Sequence, residues 1–229
     1  MNDTDFSALA RRFFGVIAQP RTYGNIAYIW LGFPLGLFYF IFLVTGSALS
    51  IGLSLLWIGL LLMVAMVFSI RSLGLLERFL SRWLLGEPFP AMPPRNPSLT
   101  AWQRFRAVLR DPATWRGGLF LLLKFPIGLA SWVFSVATFS ISLAFLVAPF
   151  ARYTVDADFD YWTLEDPTGG WLFAALGVLM LFATLHAHNL LGMLWRIMAR
   201  YLLSPSELPS EPGKAEPPAP LVNQELQPA

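Results

Sequence analysis

The sequence of 229 residues contains no cysteine. That excludes a disulfide framework, a thiolate metal site and a cysteine nucleophile, and it leaves the redox compartment unreadable. Charge is scarce as well. Asp, Glu, Lys and Arg make up 13% of the chain, against about a quarter in soluble domains, and residues 22–70 carry none. A soluble globular enzyme, a disordered chain and a coiled coil are excluded. What is abundant is apolar: 56% hydrophobic residues, with 20 Phe and 9 Trp, and a mean hydropathy of +0.57. The composition is that of a membrane protein.

A bilayer core of about 30 Å takes about 20 apolar residues per helix. The charge-free run from Ile26 to Ile70 is too long for one crossing and suits two. Thr45, Gly46, Ser47, Ser50 and Gly52 cluster in its middle, which predicts spans over about 26–48 and 52–70. Two further apolar regions predict spans over about 119–147 and 171–191, the first interrupted only by Lys124. No short apolar segment near Met1 ends at a small-residue cleavage site, so no signal peptide is expected. The expected class is all-α: a polytopic protein of four transmembrane helices with interfacial amphipathic helices.

Loop charges set an expected orientation. Arg11, Arg12 and Arg21 precede span one, eight arginines from Arg71 to Arg116 lie between spans two and three, and Arg196 and Arg200 follow span four. The other long loop, 150–170, holds Asp156, Asp158, Asp160, Glu165 and Asp166 against Arg152. Both termini and the 71–118 loop are expected in the cytoplasm of a cell membrane, with the acidic loop outside.

The chain also aligns with itself. At an offset of 92, residues 12–53 give thirteen identities, among them Arg12/Arg104, Pro20/Pro112, Thr22/Thr114, Pro34/Pro126 and Gly36/Gly128. Beyond the first span of each half the offset becomes 118, pairing Gly59/Gly177, Gly74/Gly192, Arg78/Arg196 and Arg82/Arg200. The halves are expected to be parallel hairpin repeats about a pseudo-twofold along the membrane normal. Residues 6–17 and 99–109 are amphipathic, with Leu99, Trp102, Phe105 and Leu109 on one face of the latter, and are expected to lie in the interface. Span two is expected to continue as a cytoplasmic helical extension with Leu73, Leu76, Leu80 and Trp83 on one stripe.

Phe33-Pro34-Leu35-Gly36-Leu37-Phe38-Tyr39-Phe40, Leu84-Leu85-Gly86 and Pro93-Pro94-Arg95 are followed by a run from Leu109-Arg110-Asp111-Pro112 through Thr114-Trp115-Arg116 to Lys124-Phe125-Pro126-Ile127-Gly128. Over residues 28–203 this resembles the bacterial sensor-domain family, the multi-span input module found ahead of two-component histidine kinases. In kinase members a dimerisation helix with the phosphorylated His and an ATP-binding domain follow the last span. Here 34 residues follow Trp195, with no His among them, and residues 204–229 hold seven prolines. They are expected to form a disordered tail, a linker remnant or an aromatic-groove ligand. The resemblance implies a non-catalytic signalling module that needs a partner chain, a histidine kinase or a regulator, with a homodimer also open. No cofactor and no nucleic acid are expected.

Each candidate site has a plain structural reading beside it. Asp111-Pro112 suits a helix start, with Asp as N-cap and Pro at the first position, and with Arg110, Trp115 and Arg116 it also makes a candidate partner surface. Pro34 with Gly36 and Pro126 with Gly128 suit either fixed close packing or a hinge. Lys124, near the basic end, is expected to snorkel, although a charge inside a span is functional by default. His186 and His188, two apart on a helix, point away from each other and cannot share a metal. Ser47 and Ser50 lie a membrane thickness from them, so they form no Ser–His hydrolase pair. Asp156, Asp158 and Asp160 put three carboxylates on one face of an extended segment, weak candidates for a hard cation. Tyr161 stands where an EF-hand needs glycine. The competing function is a small transporter or channel subunit, and an enzyme is disfavoured by the lack of a convergent His, Asp, Glu or Cys set.

Overall fold

The computed structural model describes residues 15–90, 100–151 and 167–204. Among these residues there are five α-helices and no strands. Four of the helices are long and apolar enough to cross a membrane: α1 (Pro20–Gly52), α2 (Ile58–Leu85), α4 (Pro112–Ala151) and α5 (Pro167–Leu203). The short helix α3 (Ala101–Arg110) precedes α4. The N-terminal stretch 6–14, the acidic residues Asp156, Asp158 and Asp160, and the tail 205–229 lie outside the described residues.

The expected turn at Thr45–Gly52 is not where the chain reverses. Helix α1 runs on to Gly52, a 3-10 turn follows over Leu53–Leu56, and Trp57 takes a left-handed conformation (φ 58°) before α2. In lipid every backbone group must be bonded within the chain, so helix outlasts weak helix formers. Ser50 supports it by donating to the Gly46 carbonyl at 2.6 Å. The hairpin tip is apolar and open, with Leu55 91% and Trp57 83% exposed.

The second span is longer than its charge-free part. Helix α2 continues past Arg71 to Leu85 and ends at Gly86, whose left-handed φ of 67° suits glycine. The segment 71–118 begins, as expected, with a helical extension of span two, fifteen residues of the same helix, but its inward face is not the expected leucine stripe: Leu76 and Trp83 are 43% and 72% exposed. An amphipathic stripe lets this happen: Gly74, Glu77, Ser81 and Leu85 face inward at helical spacing.

Helix α3 starts with a capping box, in which Thr100 accepts from the Gln103 amide and the Gln103 side chain accepts from the Thr100 amide. It turns Phe105 and Val108 onto Val67 of α2. Trp102, expected on the same face, is 68% exposed. Asp111 then joins α3 to α4: its amide bonds the Ala107 carbonyl, and its carboxylate accepts from the Ala113 amide at 3.0 Å.

Helices α1 and α4 form the centre, with α2 packed on α1 and α5 packed on α4. The two central helices cross rather than run side by side in one sense. A Cβ on Gly36 would lie 2.6 Å from the Lys124 carbonyl oxygen, and one on Gly128 would lie 2.7 Å from that of Gly32. Farther out, Trp30 meets Trp132 and Ser135, and Phe40 meets Phe125. Residue numbers thus run oppositely through the crossing. The glycines allow the backbones into contact. Helices of 33 and 40 residues are about 50 and 60 Å long, longer than a bilayer core of about 30 Å.

Candidate functional site

Beside the crossing lies a group of ionisable side chains closed off from solvent. Lys124, on α4, extends its ammonium to Glu77 of α2 and forms an ion pair with Oε2. Lys124 also donates to the Tyr28 hydroxyl at 3.3 Å. The carboxylate collects two more donors: Tyr28 at 3.1 Å on Oε2 and Tyr39 at 2.8 Å on Oε1. Ser81, one helical turn beyond Glu77, donates to the Tyr28 hydroxyl at 3.3 Å.

Apolar rings complete the enclosure. The ammonium sits 4.4 Å from the Tyr28 ring centre and 5.9 Å from those of Phe120 and Trp195, within cation–π range. Tyr28 and Phe120 each meet Trp195 edge-on. Tyr28 is 1% exposed, and Tyr39, Glu77, Ser81, Phe120, Lys124 and Trp195 are all 0% exposed. Such a pair persists in a low dielectric only when its remaining donors and acceptors are satisfied, and the hydroxyls and rings do that here. The first half of the chain supplies the carboxylate and the hydroxyls. The second supplies the ammonium and two aromatic walls.

A second polar chain crosses from α1 to α5. Trp30 Nε1 donates to Ser135 Oγ at 2.9 Å, Ser135 Oγ lies 2.7 Å from His188 Nε2, and His188 Nδ1 lies 2.7 Å from the Thr184 carbonyl. A carbonyl can only accept, so Nδ1 carries the proton and Nε2 accepts from Ser135. Every group is used, and Ser135 and His188 are 0% exposed. A hydroxyl committed in both directions within an α-helix has no approach for a substrate, so the pair is a structural link.

A family described as "Putative sensor" matches residues 28–203. The chain belongs to that family. No curated protein and no solved structure matches it. The matched region begins at Tyr28 and contains every member of the ion-pair cluster. With four apolar helices long enough to span, the chain is a multi-pass membrane protein.

The residues singled out from sequence fall into separate places in the fold. Gly36 and Gly128 lie at the helix crossing, and Pro34 and Pro126 lie inside the uninterrupted helices α1 and α4. Asp111 caps α4, lies 3.9 Å from Arg71 and is followed by Pro112 as the first helical residue. Trp115 is exposed, with its indole donating to the Leu109 carbonyl at 2.9 Å, and Arg110 ends α3, exposed. Arg116 is half-buried.

One reading changes. Lys124 does not snorkel: it turns inward because Glu77 gives it a counter-charge that the basic end of the helix would not. Ser135, which the sequence reading did not weigh against the histidines, is the serine that His188 meets, as a structural link. Glu77 was missed because the inward face of the helical extension was assigned to its leucines and Trp83. The available signal was that it is the one acidic residue of α2, on a stripe with Gly74 and Ser81, in a chain with a charge at Lys124 and no other partner for it in the spans.

Proposed function

We propose that this sensor-family protein is a non-catalytic membrane signalling module in which two hairpins, related by an internal repeat, are locked together by the Lys124–Glu77 ion pair, and that it acts on a partner chain, a histidine kinase or regulator. The single observation that carries this is the buried ion pair between the two halves. A charge pair inside apolar spans is costly to place and is kept where it does something. Its strength depends on exact positions of α2 and α4, so a small displacement of one hairpin changes it steeply.

The repeat reading is supported by contacts that exchange under the offsets. Gly36 with residue 124 and Gly128 with residue 32 are one contact seen twice, since 36 + 92 = 128 and 32 + 92 = 124. Glu77 and Trp195 are equivalents, since 77 + 118 = 195, and both border the Lys124 ammonium. At the cluster the two halves differ in kind: Tyr28 stands for Phe120, Gly32 for Lys124, Glu77 for Trp195. Both termini and the arginine-rich segments face the cytoplasm of the cell membrane in this reading, and the elaborated acidic loop faces out.

A transporter would also place charge at mid-span, but it needs a path to that charge. Each member of the cluster is at most 1% exposed, which favours a lock over a route. The test is crosslinking in native membranes followed by affinity capture. A kinase or response regulator recovered with the wild type supports the proposal, and its consistent absence together with solute flux in proteoliposomes would replace it by the transport reading.

A further inference from the structure

Four arginines converge on the short segment that leaves α2. Arg78 Nη2 donates to the Pro90 carbonyl at 2.7 Å and its guanidinium lies 5.1 Å from the Phe89 ring centre. Arg82 donates to the Phe89 carbonyl at 2.9 Å, and Arg196 of α5 reaches the Leu85 carbonyl at 3.4 Å. Arg200 pairs with Glu87 at 2.7 and 3.1 Å.

Backbone carbonyls accept hydrogen bonds but carry no net charge. Among these contacts there is one carboxylate, Glu87, for four guanidinium groups, and Arg200 already holds both of its oxygens. Arg78 is 7% exposed, and its Nη1 meets no acceptor among the described residues. An arginine stays protonated wherever it is placed, and an unpaired buried cation is among the costliest arrangements a fold can hold. The sequence of 91–99 holds no Asp or Glu.

We propose that this arginine cluster is a binding site for the phosphate of an anionic phospholipid headgroup, with Arg78 at its centre and Arg82 and Arg196 beside it. The chemistry required is a compact, multiply accepting anion, which guanidinium groups bind through paired N–H donors. The membrane source is favoured by level. The cluster sits at the ends of two helices that span, beside Trp83 and Tyr201, which are 72% and 71% exposed, and exposed Trp and Tyr at span ends mark the headgroup region. Anionic lipids attract basic groups there. The inference needs only that the helices span, and it stands or falls independently of any signalling partner.

The test uses the full-length protein in a neutral detergent, with thermal unfolding followed by circular dichroism and bound lipid counted by native mass spectrometry. Phosphatidylglycerol, phosphatidylcholine and inorganic phosphate are added at equal phosphate concentration. The expected result is a rise in Tm and retained lipid adducts with phosphatidylglycerol alone. Arg78→Gln should lose both the rise and the adducts, while its Tm in phosphatidylcholine stays at or above that of the wild type. Arg196→Gln, at a half-buried position, should weaken both and serves if the first variant does not fold. Arg106→Gln on α3 should respond as wild type. An equal rise with inorganic phosphate would show a free-anion site, and an undiminished phosphatidylglycerol response in both Arg78→Gln and Arg196→Gln would overturn the assignment. So would a response present only after deletion of 205–229, because the glutamates of that segment would then be the occupant.

Discussion

A lysine twelve residues inside a 40-residue apolar helix can escape lipid in two ways: by stretching to the interface or by finding a carboxylate. The geometry decides for the second, and the energetics make the choice testable. Removing one member of a buried pair strands the other and costs about 3–5 kcal/mol, whereas replacing both by apolar or neutral groups of similar size is near neutral. Lys124→Met and Glu77→Gln should each destabilise the protein by roughly that amount, and the double variant should recover most of the loss. Unfolding by SDS in mixed micelles, read by tryptophan fluorescence, measures the cycle. Additive losses would mean that the two side chains do not interact. The neutral chain through Ser135 and His188 should matter much less. Interhelical hydrogen bonds in membranes average about 0.6 kcal/mol and reach about 1.7, so Ser135→Ala should fall below the single charge variants by a clear margin in the same titration. The sequence exposed Lys124 but not its partner. A charge count ends a span at the first arginine, and the leucines of the extension drew the inward face away from the Gly74–Glu77–Ser81 stripe that the path of α2 turns inward.

At the scale of elements, the crossing of α1 and α4 depends on glycines that admit backbone to backbone. A methyl on Gly36 would meet the Lys124 carbonyl oxygen at 2.6 Å and the Phe125 Cα at 2.8 Å, and backbone cannot rotate out of the way. Gly36→Ala and Gly128→Ala should each cost about 1–3 kcal/mol, the usual penalty of overpacking. Gly74→Ala is the control, since a Cβ there meets nothing within 4 Å and alanine is the better helix former by about 0.5–1 kcal/mol. Equal losses at all three positions would refute the crossing. The existence and number of the long helices were legible from apolar run lengths, because the bilayer leaves helix as the one way to bond an exposed backbone. Their ends were not. Ser and Gly at 45–52 look like a turn by propensity, yet Ser50 bonds back into its own helix. The face of α3 was partly legible: Phe105 packs inward as periodicity required, but α2 offers room for Val108 in place of Trp102.

For the whole molecule, the described core holds its buried residues between Val16 and Leu203, and the core clusters draw on residues from both halves. Deleting 205–229 should therefore leave membrane insertion and the unfolding transition unchanged, as fractionation and the same SDS titration would report. Loss of insertion in that truncation would contradict this. The proposed repeat rests on matched prolines, arginines and glycines that composition alone does not supply. The crossing was not legible, because two spans per half fix the number of passages and say nothing of the angle at which α1 meets α4. The account as a whole rests on which segments share a side of the membrane, and a chain with no cysteine allows a direct answer. Ser98→Cys and Asp158→Cys, each the sole thiol, are treated in intact cells with a membrane-impermeant maleimide. The account predicts labelling at position 158 and none at position 98 until the cells are opened, and labelling of both in intact cells, or of position 98 alone, would contradict it.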